Sequence, residues 1–166
     1  MRKASQSVRY HPVFFLLMAL VAMAELGLTS FLINAGNESD TWPSSRYHKL
    51  LILFCFNAVW TTLFSTSYVL WVIDGSVHLL AGVASSVAWL FLNSVLWATA
   101  SAIMLHTRGG ENCAGRETIS RCRQSLTVLA LGWTELGISA ITLLTTCWWV
   151  RANRRRSFVN DSRRLV

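Results

Sequence analysis

The sequence predicts an all-α integral membrane protein: a bundle of four transmembrane helices with both termini in the cytoplasm. Three observations carry this prediction. Of 166 residues, 53% are hydrophobic and only 14% are charged, whereas soluble domains carry about a quarter charged residues. The apolar residues gather into long uninterrupted runs, and the Lys and Arg residues concentrate in the two tails. The length allows a single domain. A chain with a mean hydropathy of +0.42 is too apolar to stay disordered and too apolar to be an ordinary soluble enzyme.

The first run, residues 12–34, follows a basic segment at residues 1–11. It also has features of a signal peptide: Arg2, Lys3 and Arg9 as a basic leader, an apolar core from Val13 to Val21, and the small-x-small site Ala22-Met23-Ala24. The apolar run continues through Leu26, Leu28, Phe31, Leu32 and Ile33, longer than such a core needs, so an uncleaved helix is expected. Cleavage would leave three spans with the same orientation. The second run covers residues 50–73, the third 77–105 and the fourth 126–150. Each exceeds the roughly 20 helical residues that cross a bilayer's hydrocarbon core. None alternates as barrel strands do, and in lipid only helices or closed barrels satisfy their backbone groups. The third is long enough to tilt or to project beyond the core.

Orientation follows from the positive charges. With both termini inside, the cytoplasmic side holds Arg2, Lys3, Arg9, Arg151, Arg154, Arg155, Arg156, Arg163 and Arg164. The outside holds Arg46, Lys49, Arg108, Arg116, Arg121 and Arg123. The bias is that of the positive-inside rule. Residues 151–166 then form a cytoplasmic basic tail. Arg151, Arg154, Arg155 and Arg156 face anionic lipid there, each worth about 1 kcal/mol near the surface, or serve only to set topology. The formal charge of +7 is thereby explained without nucleic acid, whose binding needs a reading surface or interleaved aromatics. Trp148 and Trp149 fit an inner interfacial belt, and Trp42 an outer one.

In this topology Cys113 and Cys122 share the second outer loop, which faces an oxidising compartment. A disulfide between them is expected, with two free thiols as the alternative; it closes a loop of about ten residues, worth up to roughly 2–3 kcal/mol. Their spacing fits neither a CxxC redox pair nor a zinc site, and no metal or other cofactor is expected. Cys55 and Cys147 read as small buried residues, although Cys147, beside Trp148, is a candidate for palmitoylation. Asn37-Glu38-Ser39 is a glycosylation sequon in the first outer loop, close to the membrane.

Glu25 and Glu135 are the only acids well inside the runs. An ionisable group at a helix centre costs about 2.5–3.5 kcal/mol on the insertion scale, a cost that the surrounding aliphatic residues offset. Such a carboxyl faces the bundle and is a functional candidate by default. Counting from span centres at 1.5 Å per residue, Glu25 lies about 3 Å and Glu135 about 4.5 Å outside the midplane. Thr61, Asn93 and Ser94 fall near the same level, so one intramembrane polar layer is expected, with its carboxyls protonated or hydrogen-bonded across helices. The two acids sit in similar words, Glu25-Leu26-Gly27-Leu28-Thr29 and Glu135-Leu136-Gly137-Ile138-Ser139. Gly27 and Gly137 are expected to admit close helix neighbours, as are Gly82 and Ser86 on the small-residue face of the third helix.

Four spans, cytoplasmic termini, short first and second loops and a Cys-bearing second outer loop resemble the MARVEL-domain proteins, especially small fungal ones. The stretch from Cys113 to Gln124 (CAGRETISRCRQ) leading into the fourth span, and the Glu-Leu-Gly-Leu-Thr segment of the first, carry most of that resemblance. It spans roughly residues 9–150. Tetraspanins and claudins fit less well: the second outer loop lacks Cys-Cys-Gly, and the first lacks paired cysteines. The resemblance implies a role in membrane apposition, vesicle trafficking or the organisation of lipid subdomains, in the plasma membrane or endomembranes of the secretory pathway.

The leading functional expectation is therefore a non-enzymatic membrane organiser. It would act through helix packing and contact with membrane lipids, with sterol or sphingolipid as further lipid candidates and homo-oligomers or other membrane proteins as partners. The alternative is a small proton-coupled transporter using Glu25. An enzyme is disfavoured: there is no HExxH, no GxSxG and no pair of exposed carboxylates.

Overall fold

A computed structural model describes residues 12–39, 42, 44–74, 83–109 and 120–162. They form four helices: α1 (Pro12–Ser39), α2 (Ser45–Asp74), α3 (Val83–Arg108) and α4 (Arg121–Ser162). Each contains a stretch long and apolar enough to cross a membrane: Val13–Glu38, Ser45–Trp71, Ser85–Arg108 and Cys122–Ala152.

Local chemistry sets several helix ends. Pro12 opens α1, where its missing N–H and fixed φ cost nothing. Ser44 caps α2, its hydroxyl accepting the Tyr47 N–H at 3.1 Å. Gly109 ends α3 in the left-handed region (φ 61°), its N–H donating to the His106 carbonyl at 3.2 Å. That conformation favours glycine at a helix C-terminus. Several described ends differ from expectation. α1 continues to Ser39, so Asn37 lies on its last turns and not in a loop. α2 begins at Ser45 rather than 50, and α4 at Arg121 rather than 126, while the expected start of α3 at 77 lies outside the described residues, which resume at Val83. α4 runs past 150 to Ser162 without interruption, so the basic segment continues the helix.

Contacts run α1–α2, α2–α3, α3–α4 and α4–α1, closing a ring. The buried positions have a regular spacing. On α1 they include Phe15, Met18, Ala22, Glu25, Thr29, Leu32 and Gly36; on α4, Ser125, Val128, Gly132, Glu135, Ser139, Thr142 and Thr146. Steps of three and four alternate, a 3.5-residue repeat, which is the seam of a left-handed bundle. The outward faces are apolar: Val13, Leu63, Phe91 and Leu144 are all exposed. Many seam positions are polar. The bundle thus buries polar side chains along its seams while presenting apolar ones outward.

Two apolar clusters bracket the polar middle. One, toward the end where α1 hands over to α2, contains Leu32, Phe54, Ala58, Trp97, Met104 and Val128. The other, toward Pro12, contains Phe15, Met18 and Leu90, with Tyr68 and Trp89 against them. Phe15 stacks on Tyr68 at 3.9 Å between ring centroids, and Phe54 meets Trp97 edge-on at 5.8 Å.

The glycines at the close approaches are not the expected ones. A Cβ added at Gly27 or Gly137 meets nothing within 4 Å; each lies two residues, about 200° around the helix, from its inward-facing Glu. The close approaches are at Gly36, which lies against the Trp42 indole, and at Gly132, where a Cβ would sit 2.7 Å from both Phe54 Cε1 and Ser101 Oγ. Ser86 is buried and hydrogen-bonds Tyr68 across the α2–α3 seam. Gly82 lies outside the described residues.

Candidate functional site

The heptad seams bring Glu25 of α1 and Glu135 of α4 into the interior, both with 0% of their surface exposed. Their carboxyls interact electrostatically across the α1–α4 seam. The Glu135 carboxyl lies against the α1 backbone at Ala22, a fully buried small residue one turn before Glu25. None of the four carboxyl oxygens has a hydrogen-bond partner. A buried polar atom without a partner is uncommon and calls for a physical reason. Glu25 and Glu135 are also the only charged side chains buried among the described residues.

Beside the acids runs a hydrogen-bonded chain through three helices. Trp97 Nε1 donates to Thr61 Oγ1 at 3.0 Å. Thr61 Oγ1 donates to Asn93 Oδ1 at 2.8 Å, and Asn93 Nδ2 donates to Ser139 Oγ at 2.9 Å. Asn57 Nδ2 adds a bond to the Leu96 carbonyl at 3.3 Å. α3 thereby grips α2 on one side and α4 on the other. Ser139, where the chain ends, is one helical turn from Glu135 on the buried face of α4. Ser94 stays out of this layer: its hydroxyl turns back to the Leu90 carbonyl of its own helix at 2.8 Å.

The two similar words acquire a structural sense here. In each, the Glu and the hydroxyl residue four positions later share the inward face: Glu25 with Thr29, and Glu135 with Ser139. Thr29 bonds the Glu25 carbonyl at 2.7 Å, while Ser139 reaches Asn93. A small buried residue stands three positions before each acid, Ala22 and Gly132. Because consecutive helices are antiparallel, α1 and α4 run in opposite directions, and the words meet head to tail around the acid pair. Ser139, Trp97 and Ala22 were not singled out from the sequence as members of the layer. The recurring hydroxyl four residues after each Glu was the available signal for Ser139.

The remaining candidates are dispersed. Among the described residues, no three His, Cys, Asp or Glu side chains gather as a metal site. Cys122 lies at the first turn of α4, 4.0 Å from an Arg108 guanidinium nitrogen; Cys113 lies outside the described residues. Cys55 is half-buried, Cys147 is exposed, and both are free thiols. Arg151 is exposed on α4, and Arg154, Arg155 and Arg156 follow on the same helix. No family model matches the chain, and neither a curated protein nor a solved structure does. The functional reading therefore rests on the chain's own residues.

Proposed function

We propose that this chain is a non-enzymatic integral membrane protein that organises lipid or protein neighbours through its outer helix faces and its basic C-terminal helix. The observation that carries this reading is the continuity of α4. It leaves its apolar stretch at Ala152 and continues as helix to Ser162, about 15 Å further at 1.5 Å per residue. Arg151, Arg154 and Arg155 stand at positions i, i+3 and i+4 of this one helix, a spacing suited to meeting anionic headgroups together. The outward-facing Phe56 and Phe64, joined through Trp60 in an aromatic run, supply an apolar surface for lipid chains. The MARVEL-like pattern of loops and spans supports the same role, with the Cys113–Cys122 bridge in the outer loop, both termini cytoplasmic, and a plasma-membrane or secretory-pathway address. Palmitoylation at the exposed Cys147 would add a second lipid anchor beside the arginines.

The test is lipid retention. Chain purified in mild detergent should carry anionic lipid, identified by mass spectrometry. Replacing Arg154, Arg155 and Arg156 by Gln removes about 3 kcal/mol of surface attraction, so retention should fall roughly hundred-fold. Equal retention in the triple variant contradicts this reading. A second reading, a small proton-coupled transporter, is supported by the enclosed acid pair. Glu25→Gln in reconstituted vesicles under an imposed pH gradient separates the two: transport loses its proton dependence, whereas lipid organisation persists.

A further inference from the structure

We infer that Glu25 and Glu135 form one coupled proton-binding pair, built into the α1–α4 seam, whose two protonation steps belong to the pair and not to either acid alone. Four acceptor oxygens lie in a closed interior without a completed hydrogen bond, and the one donor beside them is the Ala22 backbone N–H, next to Glu135. Among the described residues no buried cationic side chain offsets the charge. α1 and α4 present, besides the two acids, Thr29 and Ser139 one turn away, while α2 and α3 bring Asn57, Thr61, Asn93 and Trp97 to this layer. Their bonds run elsewhere: Thr29 donates to the Glu25 carbonyl of its own helix, Asn57 to the Leu96 carbonyl, Thr61 and Trp97 donate within the chain that ends at Ser139, and Asn93 uses both ends of its amide, with Ser139 accepting from it. The residues of described burial that can carry positive charge, Arg46, His48, Lys49, His106, Arg108, Arg123 and Arg151, lie toward the helix ends, and none is buried.

Two facing carboxylates without a counter-ion are the least favourable charge state of such a site. Among the described residues no third His, Cys, Asp or Glu gathers with the two acids. A proton needs no third group. With one proton bound, a carboxylic acid donates to its carboxylate neighbour, and the orphaned oxygens become partners of one another. The opposed arrangement of the two words places the same group on both sides of the seam, so that either acid can hold the proton. The inference does not depend on the organising role, because both acids lie inside the bundle whatever its outer surface binds.

The measurement is infrared difference spectroscopy of the purified chain in lipid nanodiscs, titrated from acid to alkaline pH. It reads the carbonyl stretch of protonated carboxyls in wild type, Glu25→Gln, Glu135→Gln and the double variant. Wild type should show this band and lose it in two separated steps, the signature of interacting sites. Each single variant should lose it in one step, and the double variant should lack the interior component. Gln keeps the size of Glu, and helical content by circular dichroism checks that each variant folds. A wild-type band absent at every pH overturns the inference. So does a wild-type titration that is the plain sum of the two single variants. Loss of lipid retention in the Arg154, Arg155 and Arg156 variant, or its persistence, leaves this result unaffected, so the two proposals fail separately.

Discussion

Gly132→Ala is the sharpest small perturbation that the structure offers. The new methyl carbon would stand 2.7 Å from Phe54 Cε1 and from Ser101 Oγ, against ordinary contact distances of about 3.5–4.0 Å. Relief requires a shift of about 1 Å. Phe54 cannot swing outward, because it is fully buried and its ring meets Trp97 edge-on. Trp97 in turn donates to Thr61, so displacement of the ring reaches the hydrogen-bonded chain. Overpacking of this kind costs about 1–3 kcal/mol, a fall of about 5- to 150-fold in the folded-to-unfolded ratio. Gly137→Ala is the matched control: it meets nothing within 4 Å and should be neutral. The assay is reversible unfolding in mixed micelles of rising denaturing-detergent fraction, followed by circular dichroism. Equal stability of the two variants, or a larger loss at Gly137, would refute the packing argument.

Three further outcomes follow from the same geometry. Asn93→Ala removes its bonds to both Thr61 and Ser139; at about 0.6–1.7 kcal/mol per interhelical bond, it should cost roughly 1–3 kcal/mol in that assay, whereas Ser94→Ala should cost little. Chain isolated from an oxidising compartment should show the Cys113–Cys122 bridge, seen as a mass gain of two hydrogens on reduction and abolished by Cys122→Ser. Asn37 should carry no glycan, since the sequon lies on helix α1 close to the apolar span. Glycosidase treatment should leave the gel mobility unchanged.

The four helices were legible because an apolar run of 23 residues or more leaves few alternatives. The acids were legible as interior residues for the same reason: a carboxyl facing lipid is too costly to tolerate. The rotation of each helix about its axis was harder to read. In water an apolar stripe marks the buried face, but here both faces are apolar, and Leu16 and Leu32 look alike although one is exposed and the other buried. Gly27 and Gly137 were expected at close approaches for that reason, whereas the tight contact is at Gly132. The polar residues hold the missing information: Glu135, Ser139, Thr142 and Thr146 follow the 3.5-residue seam while the aliphatic residues obscure it. Ser94 looked equivalent to Asn93, yet one step around the helix moves a side chain by about 100°. The continuation of α4 through Arg154 was hidden because charge density marks the end of a span, not the end of a helix.

Disulfide cross-linking in native membranes addresses the central claim, the facing of α1 and α4 through their acids. Glu25→Cys and Glu135→Cys are combined in a chain whose four natural cysteines are replaced by Ser, and Glu25→Cys paired with Gly137→Cys serves as the outward-facing control. Mild oxidation should join the first pair within one chain, so that cleavage in the loop between α3 and α4 no longer separates the fragments on a non-reducing gel, while the control pair stays unjoined. An unjoined acid-position pair, in membranes where Asn93→Cys with Ser139→Cys does join, would contradict the arrangement.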